Sequence, residues 1–175
     1  MRNSALVPAL LILLSGLVTT ASAEDPAKTA GLTKATYAIT GLHCPPCSRT
    51  VASSLEGLPG VKAVKVDWSS KSAKLTFDEG VISAQKLSQS IAATPHMMGG
   101  GMRYGGWLAL SVPSLTDDAA AKSIQETLGK VPGVAKVATY PKSHTVSVQF
   151  SSQGGATSGQ LIESLAASGV KASTY

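Results

Sequence analysis

The chain holds two cysteines in 175 residues, no block of basic residues, and no apolar run of the ~20 residues that a membrane-spanning helix needs. It also lacks a Ser/His/Asp arrangement, a phosphate-binding loop and a spaced carboxylate pair with a supporting pocket. No catalytic constellation is legible, and a non-enzymatic role is expected. The formal charge is +5, but Lys62, Lys65, Lys71, Lys74, Lys122, Lys130, Lys136 and Lys142 are scattered. Solvated strand edges and helix faces account for them, so no nucleic-acid partner is expected. The cysteines, Cys44 and Cys47, stand three positions apart. A disulfide at that spacing would brace almost no loop, so chemistry is the better reason for the pair.

The first residues read as a secretory signal. Arg2 supplies a positive start, Ala5 to Val18 an apolar run, and Ala21-Ser22-Ala23 a small-residue cleavage site. Cleavage after Ala23 would leave 152 residues, enough for one medium domain or two small ones. The expectation is a signal peptide over 1–23, a flexible stretch over 24–34, and an exported protein, periplasmic or secreted, with no membrane insertion after cleavage.

One pattern is written twice. Pro59-Gly60-Val61 and Pro132-Gly133-Val134 are 73 residues apart, and the same offset pairs Leu42 with Leu115, Val51 with Ile124, Leu55 with Leu128, Val64 with Val137 and Phe77 with Phe150. Thr36 to Thr40 reads as a strand ended by Gly41. Pro46 to Leu58 reads as a helix with Cys47, Val51, Leu55 and Leu58 on its buried stripe. Val64, Val66 and Trp68 alternate with polar residues, as do Ala73, Leu75 and Phe77, giving a hairpin. Ser83 caps a helix through Ala93. Downstream the order recurs: strand 108–112, helix 117–128 with Thr116 able to cap it, strands 134–139 and 145–150, helix 158–167 and a closing strand 170–173. The fold expected is α+β, two tandem ferredoxin-like βαββαβ units over 35–95 and 107–175, antiparallel sheets with helices on one face. The junction, 96–106, is either a Gly/Met-rich linker or a closing strand, and Trp107 to Val112 could serve both units.

Soft d¹⁰ cations such as Cu(I) and Hg(II) prefer thiolates and need few ligands. With Cys44 in a loop and Cys47 in the first helical turn, both sulfurs can converge at the positive end of a helix. That end can bring a thiol pKa of ~8.5 down to about 7 or lower. Pro46 loses nothing there, because its missing N–H would have had no intrahelical partner.

Gly41-x-x-Cys44-x-x-Cys47 after a strand, then Leu55-x-x-Leu58-Pro59-Gly60-Val61 and a hairpin, resembles the heavy-metal-associated domain. That fold is shared by copper chaperones, the amino-terminal modules of metal-pumping ATPases and periplasmic mercury-binding proteins. The resemblance covers Thr36 to about Thr94, and 108–173 as architecture without the binding motif. It implies that Cys44 and Cys47 bind one metal ion at an exposed site, Cu(I) first, with Hg(II) or Zn(II) as the other candidates. It also implies transfer to a metal-transporting or metal-accepting protein by thiolate exchange. Two residues depart from the family pattern: Leu42 stands where methionine is usual, and two prolines separate the cysteines.

Weaker signals surround the motif. His43 could add a third ligand but reads more simply as a solvated loop residue. His96, Met97, Met98 and Met102 could make a secondary Cu(I) site from imidazole and thioethers. The plainer account has the methionines plugging a gap between the units. Asp117 and Ala120 stand in the places of Cys44 and Cys47, so the downstream copy reads as degenerate. His144 reads as surface. The main alternative is a thiol–disulfide redox protein using the same CxxC, with Thr94-Pro95 as a cis-proline; a third reading is an interaction module with a vestigial disulfide. The sequence leaves the oligomeric state open.

Overall fold

The computed structural model describes residues 31–175; the signal peptide expected over 1–23, and residues 24–30 of the stretch after it, lie outside the described residues. The elements run β1 (Leu32–Thr40), α1 (Pro45–Glu56), β2 (Val61–Asp67), β3 (Ser72–Asp78), α2 (Ala84–Ala93), β4 (Gly105–Ser111), α3 (Asp118–Gly129), β5 (Val134–Tyr140), β6 (Thr145–Phe150), α4 (Ser158–Ala167) and β7 (Ser173–Thr174). Among the described residues the fold is α+β with an antiparallel sheet and four α-helices. No helix among the described residues is long and apolar enough to cross a membrane.

The expectation of separate sheets is corrected: there is one, ordered β2-β3-β1-β4-β6-β5, with β7 also on β4. β4 explains why. One edge of it pairs with β6 through Trp107–Ser111. The other edge pairs with β1 through Gly105–Ala109 and then with β7 through Leu110 and Ser111. The closing strand of the first half and the opening strand of the second are therefore the same seven residues. Residues 96–104 form the loop before it, so the junction is a linker that ends in a shared strand.

All four helices cover one face. Tyr37 of β1 pairs with Leu108, and its hydroxyl donates to the Ala84 carbonyl of α2 at 3.0 Å. Ser88 of α2 donates to Gly106 at 2.6 Å, two residues from Leu108 on the same side of β4. Gln125 of α3 donates to Thr139, which pairs with Val146, which pairs with Leu110. Leu42, Cys47, Val51 and Leu55 from one half and Ile124, Leu128, Val148 and Leu165 from the other belong to a single buried core. The opposite face is polar and open, with Lys136 Nζ held 6.0 Å over the Trp107 ring.

Two polar contacts clamp the halves. Gln85, fully buried in α2, donates through Nε2 to the carbonyls of Ser151 (3.0 Å) and Gln153 (2.7 Å) and accepts the Ala156 N–H at 2.9 Å. The Glu79 carboxylate accepts the Ser158 N–H at 2.5 Å and the Ser158 hydroxyl at 2.8 Å, at the positive end of α4. Gly133 turns the chain beneath Gln85 at φ +93°, and a Cβ there would meet Gln85 Oε1 at 2.5 Å.

Smaller differences have local causes. Residues 32–34, expected in a flexible stretch, are already strand because β3 is long enough to pair with them at Asp78, Phe77 and Thr76. Trp68 falls in the turn after β2 and is exposed. Asp117, not Thr116, caps α3, its Oδ1 accepting the Ala120 N–H at 2.8 Å. The closing strand shrinks to Ser173–Thr174, because β1 already occupies most of that edge of β4.

Candidate metal centre

The site is built where β1 gives way to α1. Gly41 turns the chain at φ +80°, and a Cβ there would collide with the Arg103 carbonyl oxygen, so only glycine fits. Leu42 is buried in the core, and His43 is exposed. Cys44 is the extended N-cap of α1 (φ −151°, ψ 157°), and its sulfur accepts the Cys47 N–H at 3.3 Å. Pro45 and Pro46 occupy the first two helical positions, where a missing N–H leaves no bond unmade. Cys47 follows in the first turn, as its place on the Val51–Leu55 stripe requires.

The first turn of α1 carries no acidic residue, so the positive end of the helix faces sulfur alone. In the second half the same cap is made by oxygen: Asp117 accepts from Ala120 as Cys44 accepts from Cys47. An acid, Asp118, follows it in that first turn. One backbone hydrogen bond is thus conserved in geometry between the halves, while the capping atom changes from soft to hard.

The two sulfurs are joined as a disulfide, with the Cα atoms 5.2 Å apart. They converge on one point, as a shared ion requires. The expectation of an exposed pair needs correction, since Cys44 is half-buried and Cys47 is fully buried. The reason is the stripe itself: a residue in line with Val51 and Leu55 faces the core, and access to the pair is through Cys44. Among the described residues no group of three or more His, Cys, Asp and Glu side chains comes together. A caged zinc site therefore has no donors there beyond the two cysteines.

The loop before β4 forms the rim. His96 lies between His43 and Tyr104, with ring centroids 6.0 and 4.5 Å away. Its Nε2 stands 2.9 Å from the Gly41 carbonyl oxygen, and its Nδ1 accepts the Met98 N–H at 3.2 Å. Both bonds are made only with the proton on Nε2, so both ring nitrogens are engaged. His96 thus ties the rim loop to the CxxC turn. Met97, Met98 and Met102 are 54%, 65% and 41% exposed, which overturns their expected role as gap fillers. The shared β4 leaves no gap between the halves for them to fill. Tyr104 is buried behind His96, its hydroxyl without a hydrogen-bond partner. Sequence reasoning missed it, because nothing local marks an aromatic at a strand entrance as part of a site.

There is no cis peptide among the described residues, so Thr94-Pro95 is not the cis-proline that a thioredoxin-like reading needs. The His144 ring, read as surface, stands with Nδ1 2.8 Å from the Leu115 carbonyl oxygen, far from the cysteines in sequence and in the other half of the sheet.

Comparison with known proteins agrees with this geometry. Residues 36–96 match the family model of the heavy-metal-associated domain. A mercuric transport protein periplasmic component from Shigella flexneri is 37% identical over 57 residues, covering 33% of this chain and 63% of that protein. The copper-transporting ATPase HMA5 of Oryza sativa subsp. japonica is 22% identical over 115 residues, covering 64% of this chain and 11% of the ATPase. The chain thus spans less than two thirds of either relative. The water-soluble region of the P-type ATPase CopA from Bacillus subtilis aligns at 19% identity over 83% of this chain and 92% of that one. Its TM-score is 0.41, too low to bear on the fold. Residues 36–96, with the Cys44–Cys47 pair among them, thus match the heavy-metal-associated domain.

Proposed function

We propose that this is an exported, non-enzymatic carrier that, once its disulfide is reduced, holds one soft cation between Cys44 and Cys47. The cation passes to a metal-transporting or metal-accepting protein by thiolate exchange. The observation that carries this is the convergence of both sulfurs at the uncompensated positive end of α1, with one of them reachable from outside. Two thiolates suffice for Cu(I) or Hg(II) and leave a place for an incoming third thiolate. The half-exposed Cys44 is where that thiolate would attack. Cu(I) and Hg(II) are favoured over Zn(II), which wants four ligands. The relatives named for mercuric and copper transport support the same pair of metals, and the mercuric one supports a periplasmic location.

The architecture behind the site is read as two ferredoxin-like repeats that share β4. The second repeat is silent, with Asp117 and Ala120 at its motif positions, and braces the first through Glu79 and Gln85. Cycling of the cysteines as a redox catalyst is the rival, favoured by the closed disulfide alone.

Anaerobic titration of the reduced protein with Cu(I), Hg(II) and Zn(II) tests the proposal. One thiolate-bound soft ion per chain, read from its sulfur-to-metal charge-transfer absorption and lost in Cys44→Ser, is the expected result. Disulfide exchange with a substrate protein and no retained ion would replace this reading with the redox one.

A further inference from the structure

Three thioethers on the loop that His96 ties to the CxxC turn are exposed, and packing does not account for them. Met97, Met98 and Met102 rank with the most exposed large apolar side chains described, at 54%, 65% and 41%. Isolated exposed methionines are common, but three within six residues at the rim of a soft-metal site call for a chemical reason.

The segment that carries them has a defined shape. His96 anchors it to Gly41, three residues before Cys44. The Gly99 N–H donates to the His96 carbonyl at 3.2 Å, closing a turn with Met97 and Met98 at its corners. Gly99 and Gly101 then take left-handed φ values of +97° and +109° on the way to Met102. A cavity of about 340 Å³ opens between the end of α2 and this loop, lined in part by His96, Met102 and Arg103, with Met97 and Met98 outside it. Arg103, the charged side chain of this stretch, is exposed and screened by solvent.

We propose that Met97, Met98 and Met102 form a second binding station for a soft monovalent d¹⁰ cation of the Cu(I) class, one that works while Cys44 and Cys47 are joined. Thioether sulfur is soft, stays uncharged at every pH, and is not consumed when the cysteines oxidise. The long unbranched side chains need no preformed cage to converge. His96 is a positioning residue here, because both of its nitrogens are already committed to backbone groups. The station would collect the ion at the rim and deliver it once the thiols are free. The choice of cation rests on the function proposed above; the binding itself does not use the thiols.

The test uses the full chain with its disulfide intact and Ag(I) as a redox-inert probe. One Ag(I) per chain should be retained after desalting, with shifts of the three methionine methyl resonances. The Met97→Leu/Met98→Leu/Met102→Leu variant keeps side-chain volume and should bind at least about tenfold more weakly. A Cys44→Ser/Cys47→Ser variant should keep its Ag(I), which removes attack on the disulfide as an explanation. No Ag(I) on the oxidised protein, or equal retention by the triple leucine variant, overturns the proposal. Loss of soft-metal binding by the reduced cysteines would count against the carrier function and leave this readout untouched.

Discussion

Gln85 is the residue whose replacement bears most directly on the one-sheet architecture. It belongs to α2, yet its amide bonds only to residues 66 to 71 positions further along the chain, through three backbone groups and the Ser151 hydroxyl. In Gln85→Ala the buried Ala156 N–H loses its acceptor, which costs about 1–3 kcal/mol. Lost packing adds roughly 1 kcal/mol, for about 2–4 kcal/mol in total. Gln85→Glu keeps the shape but turns an oxygen toward the Ser151 and Gln153 carbonyls. Its carboxylate would be buried among acceptors, so its pKa rises on folding. Stability is then retained below the unfolded value of about 4.3 and lost as pH climbs above it, reaching about 3–5 kcal/mol at neutral pH. Urea unfolding followed by far-UV circular dichroism and tryptophan fluorescence measures both variants. Wild type should melt in a single transition, because β4 cannot leave one half without leaving the other. Two separated transitions in wild type, or a loss below about 0.5 kcal/mol in Gln85→Ala, would refute the clamp.

Gly133→Ala should cost about 1–3 kcal/mol, because a left-handed φ and Gln85 Oε1 both oppose a Cβ; thermal melting checks it, and no change would contradict the close approach. Burial, and then the charge of Glu79, hold the Tyr37 hydroxyl well above its ordinary pKa. Its folded pKa being raised, Tyr37 contributes fully below about pH 10 and progressively less above it. The difference in stability between wild type and Tyr37→Phe should therefore narrow in alkali; a difference constant from pH 8 to 11 would contradict this. Asp67 is held below the usual carboxylate range by the Ser69 hydroxyl first and then by the Ser69 and Ser70 N–H groups. With a depressed folded pKa, its contribution is present above about pH 4 and fades as pH falls through the folded value. A carboxyl carbon titration by NMR should place its midpoint below those of free aspartates, and an ordinary midpoint would count against the turn geometry.

Much of this was legible because the signals are local. Ser83 and Thr157 stand before apolar stripes of helical period, and α2 and α4 begin where they should. The Pro-Gly-Val corners mark left-handed turns at Gly60 and Gly133. Cys47 falls on a buried stripe that fixes which way its sulfur turns. The shared strand was harder to read. Alternation along Trp107–Ser111 shows a strand with one face buried, but the pattern of side chains says nothing about which chains bond to its two edges. Reading the methionines as filler followed from imagining two sheets with a gap between them. Gln85 and Glu79 carry no local mark either, since their partners are separated from them by half the chain and their polarity looks like ordinary helix-end chemistry.

X-ray absorption at the metal edge, on the reduced full chain carrying one equivalent of Hg(II) or Cu(I), addresses the carrier function most directly. The account predicts a first shell containing two short metal–thiolate bonds, absent from Cys44→Ser and from protein whose thiols have been blocked. A first shell of nitrogen and oxygen alone, or a metal that washes away from fully reduced protein, would contradict it.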